Sequence, residues 1–214
     1  MNKEFIKRIL STIILLPLLV FLINKGSYFF TFFLLVCFLI STYEWYKIVK
    51  KNNLFIPGLI FLLLSFTSTN LLRVSNNEDY YTTFLVVIIV CIFTDIGGYV
   101  FGNLFKGPKL TKISPNKTYS GVIGSYFLSI ISFNTFFSLS YLHNIAKLTA
   151  GIFIFVILIS TVSQLGDLLI SYFKRKSNLK NTGIIIPGHG GLLDRIDGML
   201  FAFPFAYCVT YFMA

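Results

Sequence analysis

Long apolar runs, separated by short polar and charged segments, dominate the sequence. Each run has about the 20 residues that an α-helix needs to cross the hydrocarbon core of a bilayer. The predicted spans cover residues 9–23, 28–45, 55–72, 81–101, 119–142, 148–172 and 192–212. The pattern therefore predicts an all-α polytopic membrane protein with about seven transmembrane helices.

The first predicted span follows Lys3, Lys7 and Arg8, an arrangement that also occurs in signal peptides. Because the sequence shows no small-residue cleavage site after this span, and the next apolar run begins almost at once, we interpret it as a membrane anchor.

Composition narrows the class of protein further. The chain is 56% hydrophobic and 12% charged, whereas about a quarter of the residues in soluble domains are charged. Its net charge of +10 does not indicate a nucleic-acid partner, because the cations form short clusters between apolar runs instead of a basic and aromatic stripe. Cys37, Cys91 and Cys208 lie far apart, which argues against a disulfide framework or a zinc site.

The basic residues are concentrated in alternate loops, as the positive-inside rule describes for cytoplasmic loops. We therefore expect the N-terminus and all of the basic loops in the cytoplasm, with the C-terminus outside. The basic groups are Lys3, Lys7 and Arg8; Lys47, Lys50 and Lys51; Lys106, Lys109, Lys112 and Lys117; and Lys174, Arg175, Lys176 and Lys180, whereas the intervening loops carry Lys25, Arg73 and Lys147.

Four carboxylates are expected near the cytoplasmic ends of three predicted spans. Asp95 and Asp167 lie within apolar runs, and Asp194 and Asp197 open the last one, three residues apart and so on one helix face. Ionisable residues inside a membrane are costly, which makes these four candidates for function.

Two explanations account for this convergence. Each Asp could belong to a structural ion pair, for example with Arg195, or cap the last helix. For the set as a whole we favour a divalent cation, since carboxylate oxygens suit Mg²⁺, which keeps waters and shares substrate phosphate oxygens. Asp167 and Asp194 are our choice of direct ligands.

The loop before the span at 119–142 could supply the other half of a phosphate site. We expect Ser114 to cap the following helix with Pro115 in its first position, and a helix N-terminus beside lysine side chains binds anions. Lys117 and Lys180 are therefore candidates for phosphate binding, although lysines in a cytoplasmic loop are also simple topology signals.

A glycine-rich turn precedes the last span. Gly188, Gly190 and Gly191 would let the backbone adopt positive φ and approach a ligand closely. His189, among them, could bind phosphate or transfer a proton, but it could equally be a structural hydrogen-bonding residue.

Residues 171–197, which we call the signature segment, carry many chemistry-bearing residues at fixed spacing. They are Ser171, Phe173, Lys174, Arg175, Lys180, Gly183, Pro187, His189, Gly190, Gly191, Leu192, Asp194, Arg195, Ile196 and Asp197. This pattern resembles the signature of the phosphatidate cytidylyltransferases, the CDP-diacylglycerol synthases. Further similar stretches at 95–99, 114–118 and 164–167 extend the resemblance over about residues 95–198.

The resemblance implies an enzyme that joins CTP to phosphatidic acid, with Mg²⁺ and a second cation as cofactors and the bilayer as its surroundings. It divides the chain into N-terminal transmembrane helices (1–80) and a catalytic transmembrane region (81–214), and it implies a homodimer in a bacterial-type inner membrane with the site facing the cytoplasm. By this resemblance Asp167 and Asp194 hold the metal, and Asp197 completes a second metal position or orients Arg195.

The same resemblance assigns further roles around the reacting phosphates. Lys180 counts with the three aspartates as catalytic, and Asp95 is a further candidate. The remaining substrate-binding candidates are Ser114, Asn116, Lys117, Lys174, Arg175, His189, Gly190 and Arg195.

Two positions depart from the family pattern. Ser120 and Asn181 stand where the family usually has acids. If the missing acids only orient lysines or waters, Ser and Asn are tolerated at some cost in rate, whereas a direct metal role for either acid would make this chain slow or inactive. The retained Asp167, Asp194 and Asp197 favour an active enzyme. Asp194-Arg195-Ile196-Asp197-Gly198 also resembles the opening of the CDP-alcohol phosphatidyltransferase motif, but no acid follows Asp197. The remaining alternatives are a CTP-dependent lipid-alcohol kinase and an inactive paralogue or ion-coupled transporter.

Overall fold

The computed structural model describes residues 17, 20–25, 27–50, 54–111, 114, 117–139, 150–179, 181–183, 185 and 190–213. Within this part the helices with defined bounds are α1 (Ser27–Val49), α2 (Phe55–Val74), α3 (Glu78–Phe105), α4 (Tyr119–Leu139), α5 (Ala150–Lys176) and α6 (Leu193–Met213). Residues 20–25 are also helical, and most of the first predicted span, 9–23, lies outside the described residues.

These helices confirm the all-α fold predicted from the apolar runs, since the described part contains an isolated antiparallel bridge between Lys109 and Thr118 but no sheet. Among the described residues, five helices, α1 to α5, are long and apolar enough to cross a bilayer. The sixth, α6, has three charged residues in its first five positions. Several apolar helices of this length make the chain a multi-pass membrane protein.

The last helix lies at the centre of the bundle. It packs against α2, α3 and α5, and Leu193, Leu200 and Phe203 are buried along its length. The Ser65 hydroxyl of α2 donates a hydrogen bond to the Leu200 carbonyl at 2.6 Å. By contrast, α1 to α5 expose many large apolar side chains, among them Phe32 and Leu64, as expected of surfaces that face lipid tails.

Glycines bring α3 and α4 into backbone contact. A Cβ added to Gly97 would lie 2.8 Å from the Ser125 Cα, and one added to Gly121 would lie 2.8 Å from the Gly98 carbonyl oxygen. Such separations are too short for any larger residue, which is the usual role of small residues between membrane helices. The contact places the Asp95 region of α3 beside the start of α4.

The expectation that Ser114 caps α4 is wrong, because α4 begins at Tyr119. The described residues before α4 are instead paired across the connection, where the Leu110 N–H donates to the Lys117 carbonyl at 2.8 Å. Thr118 performs the capping, since its hydroxyl accepts from the Gly121 N–H at 3.1 Å.

Candidate active site

A cavity of about 360 Å³ lies among α3, α4, α5 and α6. Its lining is rich in charged and hydroxyl groups, which is unusual for a cavity between membrane helices. The lining residues are Thr94, Asp95, Gly98 and Tyr99 of α3; Ser114, Lys117 and Thr118 of the connecting loop; Gly121, Val122 and Ser125 of α4; Gln164 and Asp167 of α5; and Asp194, Arg195 and Asp197 of α6. Tyr99 is 73% exposed, so the cavity also has a side at the surface of the bundle.

Asp167 occupies the α5 side of the cavity. Its Oδ2 forms an ion pair with the Lys117 ammonium, and its Oδ1 accepts from the Ser171 hydroxyl at 3.2 Å. Ser171 lies one helical turn further along α5 and so shares a face with Asp167. The ion pair brings the loop before α4 across the cavity to α5.

Asp194 organises the N-terminus of α6. Its Oδ2 accepts from the backbone N–H groups of Thr182, at 2.8 Å, and Gly191, at 3.2 Å, while its Oδ1 accepts from the Lys174 ammonium at 2.7 Å. Lys174 is only 9% exposed, so this ion pair is largely removed from solvent. A carboxylate with three such donors is held in one orientation.

Asp197 is the most buried of the cavity carboxylates, at 7% exposed. Its side chain lines the same cavity as that of Asp167, and its Oδ1 accepts from the Gly198 N–H at 2.9 Å. Two adjacent carboxylates can share a site when a proton or a cation lies between them. The cavity therefore holds two acidic side chains from α5 and α6, of which Asp167 is paired with Lys117.

The structure brings most of the predicted site residues together. All four predicted aspartates line the cavity, as do Ser114, Lys117 and Arg195, and Lys174 reaches it through Asp194. Gly190 has φ of +92°, as predicted, and a Cβ there would lie 3.2 Å from the Asp194 Oδ2.

Among the described residues, Arg175 is a predicted site residue that is not brought to the cavity. The exposed Arg175 donates to the Leu179 carbonyl at 3.5 Å and is absent from the lining. Asn116, Lys180 and His189 lie outside the described residues, as does Gly188. The catalytic, phosphate-binding and metal-binding roles assigned from the sequence stay predictions.

Ser120 and Asn181, which replace acids of the family pattern, both have identifiable surroundings. The Ser120 hydroxyl lies 2.9 Å from the Thr118 hydroxyl and accepts from the Gly107 N–H at 3.3 Å, so it stabilises the loop before α4. Asn181 is exposed, and a Cβ on Gly190 would lie 3.6 Å from its Cγ. Neither residue is among those that line the described cavity.

Some hydroxyl and amide groups of the cavity were not singled out from the sequence as site residues. The Thr94 hydroxyl donates to the Ser160 hydroxyl at 2.8 Å. The Ser160 hydroxyl also accepts from the Gln164 amide at 3.3 Å. The Ser125 hydroxyl donates to the Thr94 carbonyl at 2.7 Å. Isolated Ser and Thr residues in membrane helices give little signal in a sequence, because many only bond to their own helix.

Comparison with known proteins assigns this chain to a family. A family model described as "Cytidylyltransferase family" matches residues 6–81 and 69–213. The chain therefore belongs to the cytidylyltransferase family, and the match includes the N-terminal helices as well as the cavity.

Several curated relatives carry the name phosphatidate cytidylyltransferase. The one from Rickettsia bellii is 36% identical over 95% of this chain and 89% of its own length. The one from Rickettsia prowazekii is 32% identical over 96% of this chain and 92% of its own length. A longer relative from Brucella suis is 37% identical over 70% of this chain and 54% of its own length.

We expect Asp194→Ala to destabilise the protein by about 3 kcal/mol, because it leaves the buried Lys174 and two backbone N–H groups without their acceptor. Lys174→Met should cost less, since Asp194 keeps its backbone donors. The free energy of unfolding of the purified protein in mixed micelles measures both effects. Asp79→Ala, an exposed acid in the first turn of α3, is the control, and a loss in Asp194→Ala no greater than in this control would contradict the assigned role.

Proposed function

We propose that this protein is a phosphatidate cytidylyltransferase, which forms CDP-diacylglycerol and pyrophosphate from CTP and phosphatidic acid. The observation that carries the proposal is the cavity where four aspartates meet Lys117, Lys174 and Arg195. Its family membership and the names of relatives that match nearly its whole length support the choice of substrates.

In this reaction an oxygen of the lipid phosphate attacks the α-phosphorus of CTP, and the bond to the departing pyrophosphate breaks. The nucleophile is already anionic, so the main obstacle is repulsion between two negatively charged substrates. Fixed positive charge is offered to the phosphate oxygens by Lys117, Lys174 and Arg195. The helices α3 to α6 would also hold both substrates in the orientation that the reaction needs, which lowers the entropy cost of bringing them together.

The donor set of the cavity fits Mg²⁺. Within the described part of the chain no three His, Cys, Asp or Glu side chains are grouped closely enough to hold a metal ion by themselves, but Mg²⁺ is commonly held by one or two carboxylates with water and substrate phosphate oxygens. We assign Asp167 and Asp194 as ligands, with Asp197 beside Asp167 as a further oxygen donor. Bound Mg²⁺ would offset phosphate charge and stabilise the leaving pyrophosphate.

The two lysines of the cavity ion pairs are also placed so that they can exchange an aspartate partner for a substrate phosphate. Lys117 and Lys174 now neutralise Asp167 and Asp194 respectively. If Asp167 and Asp194 held Mg²⁺, the cation would compensate their charge, and the Lys117 and Lys174 ammonium groups would be available to substrate phosphates.

We further propose that the cavity faces the cytoplasm, where CTP is available, and that the protein resides in a bacterial inner membrane. The clusters of Lys and Arg in alternate loops support this orientation, and relatives from bacteria support this location. The homodimer and the second cation implied by the family resemblance stay predictions.

The reaction is tested by pyrophosphate release in detergent micelles with CTP, phosphatidic acid and Mg²⁺. We expect lipid-dependent release by the wild type and a loss of at least about 100-fold in Asp167→Asn and Asp194→Asn, because each variant removes a charge from the reacting centre. Asp79→Asn, an exposed site away from the cavity, should match the wild type.

The identity of the products separates the proposal from its alternatives. Release of CDP in place of pyrophosphate would instead indicate transfer of the terminal phosphate by a lipid kinase. A folded wild type that releases neither product would contradict an active transferase, and restoring acids with Ser120→Glu and Asn181→Asp would then test whether these departures are responsible.

The metal assignment predicts that chelation of divalent cations abolishes release and that added Mg²⁺ restores it. Asp167→Asn should raise the Mg²⁺ concentration needed for half-maximal rate by about 10-fold or more, since a ligand is lost. A Mg²⁺ dependence identical to that of the wild type in both Asp167→Asn and Asp194→Asn would contradict their assignment as ligands.

The orientation is tested with single cysteines in a variant whose three native cysteines are replaced by serine. Lys176→Cys, at the end of α5, should react with a membrane-impermeant maleimide only after right-side-out vesicles are opened. Asn76→Cys, in the exposed connection between α2 and α3, should react in intact vesicles because its loop lacks the basic clusters. The opposite labelling pattern would reverse the proposed topology.

A further inference from the structure

Glu44 of α1 is a fully buried carboxylate far from the cavity residues in sequence. It is 0% exposed, and it accepts three hydrogen bonds from the signature segment. Its Oε1 accepts from the Leu192 N–H at 3.0 Å, and its Oε2 accepts from the Leu193 N–H and the Thr182 hydroxyl, both at 2.8 Å. One side chain from the first third of the chain thus holds both ends of the loop that precedes α6.

The backbone N–H groups of Leu192 and Leu193 belong to the start of α6, where no preceding helical turn supplies their acceptors. A carboxylate at this position satisfies both donors and is further favoured by the positive end of the helix dipole. If these two N–H groups were buried without such an acceptor, both would be unpaired, at a considerable cost in the free energy of folding. Glu44 therefore acts as an N-terminal cap supplied by another helix.

Two glycines of the signature segment fit closely around this carboxylate. A Cβ added to Gly191 would lie 2.6 Å from the Glu44 Oε2, and a Cβ added to Gly183 would lie 2.5 Å from its Oε1. Neither glycine has positive φ, unlike Gly190. Contrary to the expectation from sequence, Gly191 is thus required for space and not for its backbone conformation.

The same end of α1 also contacts the end of α5. The Trp45 and Phe173 rings pack edge to face with their centroids 5.2 Å apart, and the Ser177 hydroxyl donates to the Ile48 carbonyl. Three residues within about one turn of α1, Glu44, Trp45 and Ile48, therefore contact the signature segment before, within and after its loop. Asp194, which follows Leu193 directly, takes its position from this arrangement.

We propose that Glu44 is a positioning residue for the reaction: it fixes Thr182 and the N-terminus of α6, and thereby sets Asp194 and Lys174 at the cavity. The inference rests on the proposed function for its kinetic consequence, but the contact between Glu44 and the loop can be tested without activity. It assigns the N-terminal helices a part in the active site.

Glu44→Gln tests the contact with little change of shape. A glutamine has one acceptor oxygen and must direct its NH₂ group at a backbone donor that now meets a carboxylate oxygen. We expect hydrogen–deuterium exchange at the Leu192 and Leu193 amides to accelerate by about 10-fold or more, because loss of one good hydrogen bond to a charged acceptor is worth at least that factor.

Ser65→Ala is the matched control. It also removes a buried hydrogen bond to α6, from Ser65 to the Leu200 carbonyl, but at a position two turns away from the loop. We expect it to lower thermal stability without accelerating exchange at Leu192 and Leu193. Equal acceleration in both variants would show that the loop responds to general loosening of α6 and would overturn the proposal.

The kinetic measurement determines KM and kcat for CTP separately in each variant. Glu44→Gln should lower kcat/KM by about 10- to 100-fold, mainly through a raised KM, because the residue acts by orienting groups that bind phosphate and metal. Ser65→Ala should keep the wild-type KM. A wild-type KM in Glu44→Gln, or a wild-type exchange rate at Leu192 and Leu193, would overturn the positioning role.

Thr182→Val decides the question if Glu44→Gln does not fold. It removes one donor from the same carboxylate and leaves both backbone bonds of Glu44 in place, so we expect the same direction of change at about 5-fold in kcat/KM. Unchanged kinetics and unchanged exchange in this variant would overturn the proposal. Absence of pyrophosphate release by the wild type would reject the proposed function alone, since the exchange measurement still tests the contact.

Discussion

Compensation of buried charge is the constraint on which the cavity and its surroundings depend. A carboxylate between membrane helices is tolerated when it has cationic or hydrogen-bonding partners, and these partners must come from other segments. Asp167 obtains Lys117 from the loop before α4, and Asp194 obtains Lys174 from α5 together with two backbone N–H groups. The loop before α4 is therefore folded back onto α5 because Asp167 requires the Lys117 ammonium group, whereas Asp194 is paired within the helices.

The close contact of α3 and α4 makes this pairing possible. With glycines at the contact, the two backbones approach each other until no side chain fits between them, and the connection from Lys106 to Thr118 reverses within a short distance. The bridge between Lys109 and Thr118 closes this reversal, which returns Lys117 to the cavity beside Asp95. A wider separation of the helices would carry the ammonium group away from Asp167.

Much of the fold could be predicted from the sequence, because apolar runs of membrane length have few alternatives to a helix. The predicted helix ends differ from those in the structure by a few residues, since helices continue beyond their apolar cores. For example, α3 extends to Phe105 and is ended by Lys106, which adopts a left-handed conformation. The aspartates at the cavity were also predictable, since ionisable residues are rare in such helices and therefore conspicuous.

What the sequence could not show depends on contacts between distant residues. Glu44 and Leu193 are separated by 149 positions, and Glu44 lies near the end of an apolar run where an acid is unremarkable. The cap of α4 was misplaced because Ser114 followed by Pro115 is a good local start signal, whereas the bridge of Thr118 to Lys109 delays the start of the helix to Tyr119. Local patterns cannot report a competing tertiary contact of this kind.

Tyr99 gives the cavity a side at the surface of the bundle, on helix α3, which is long and apolar enough to cross a bilayer. A lipid substrate that enters and leaves there never crosses into water, so its encounter with the protein is a two-dimensional search. The concentration that governs such an encounter is the mole fraction of the lipid in the membrane, whereas the nucleotide obeys its concentration in solution. Dilution of the bilayer with inert lipid would consequently act on one substrate and leave the other unaffected.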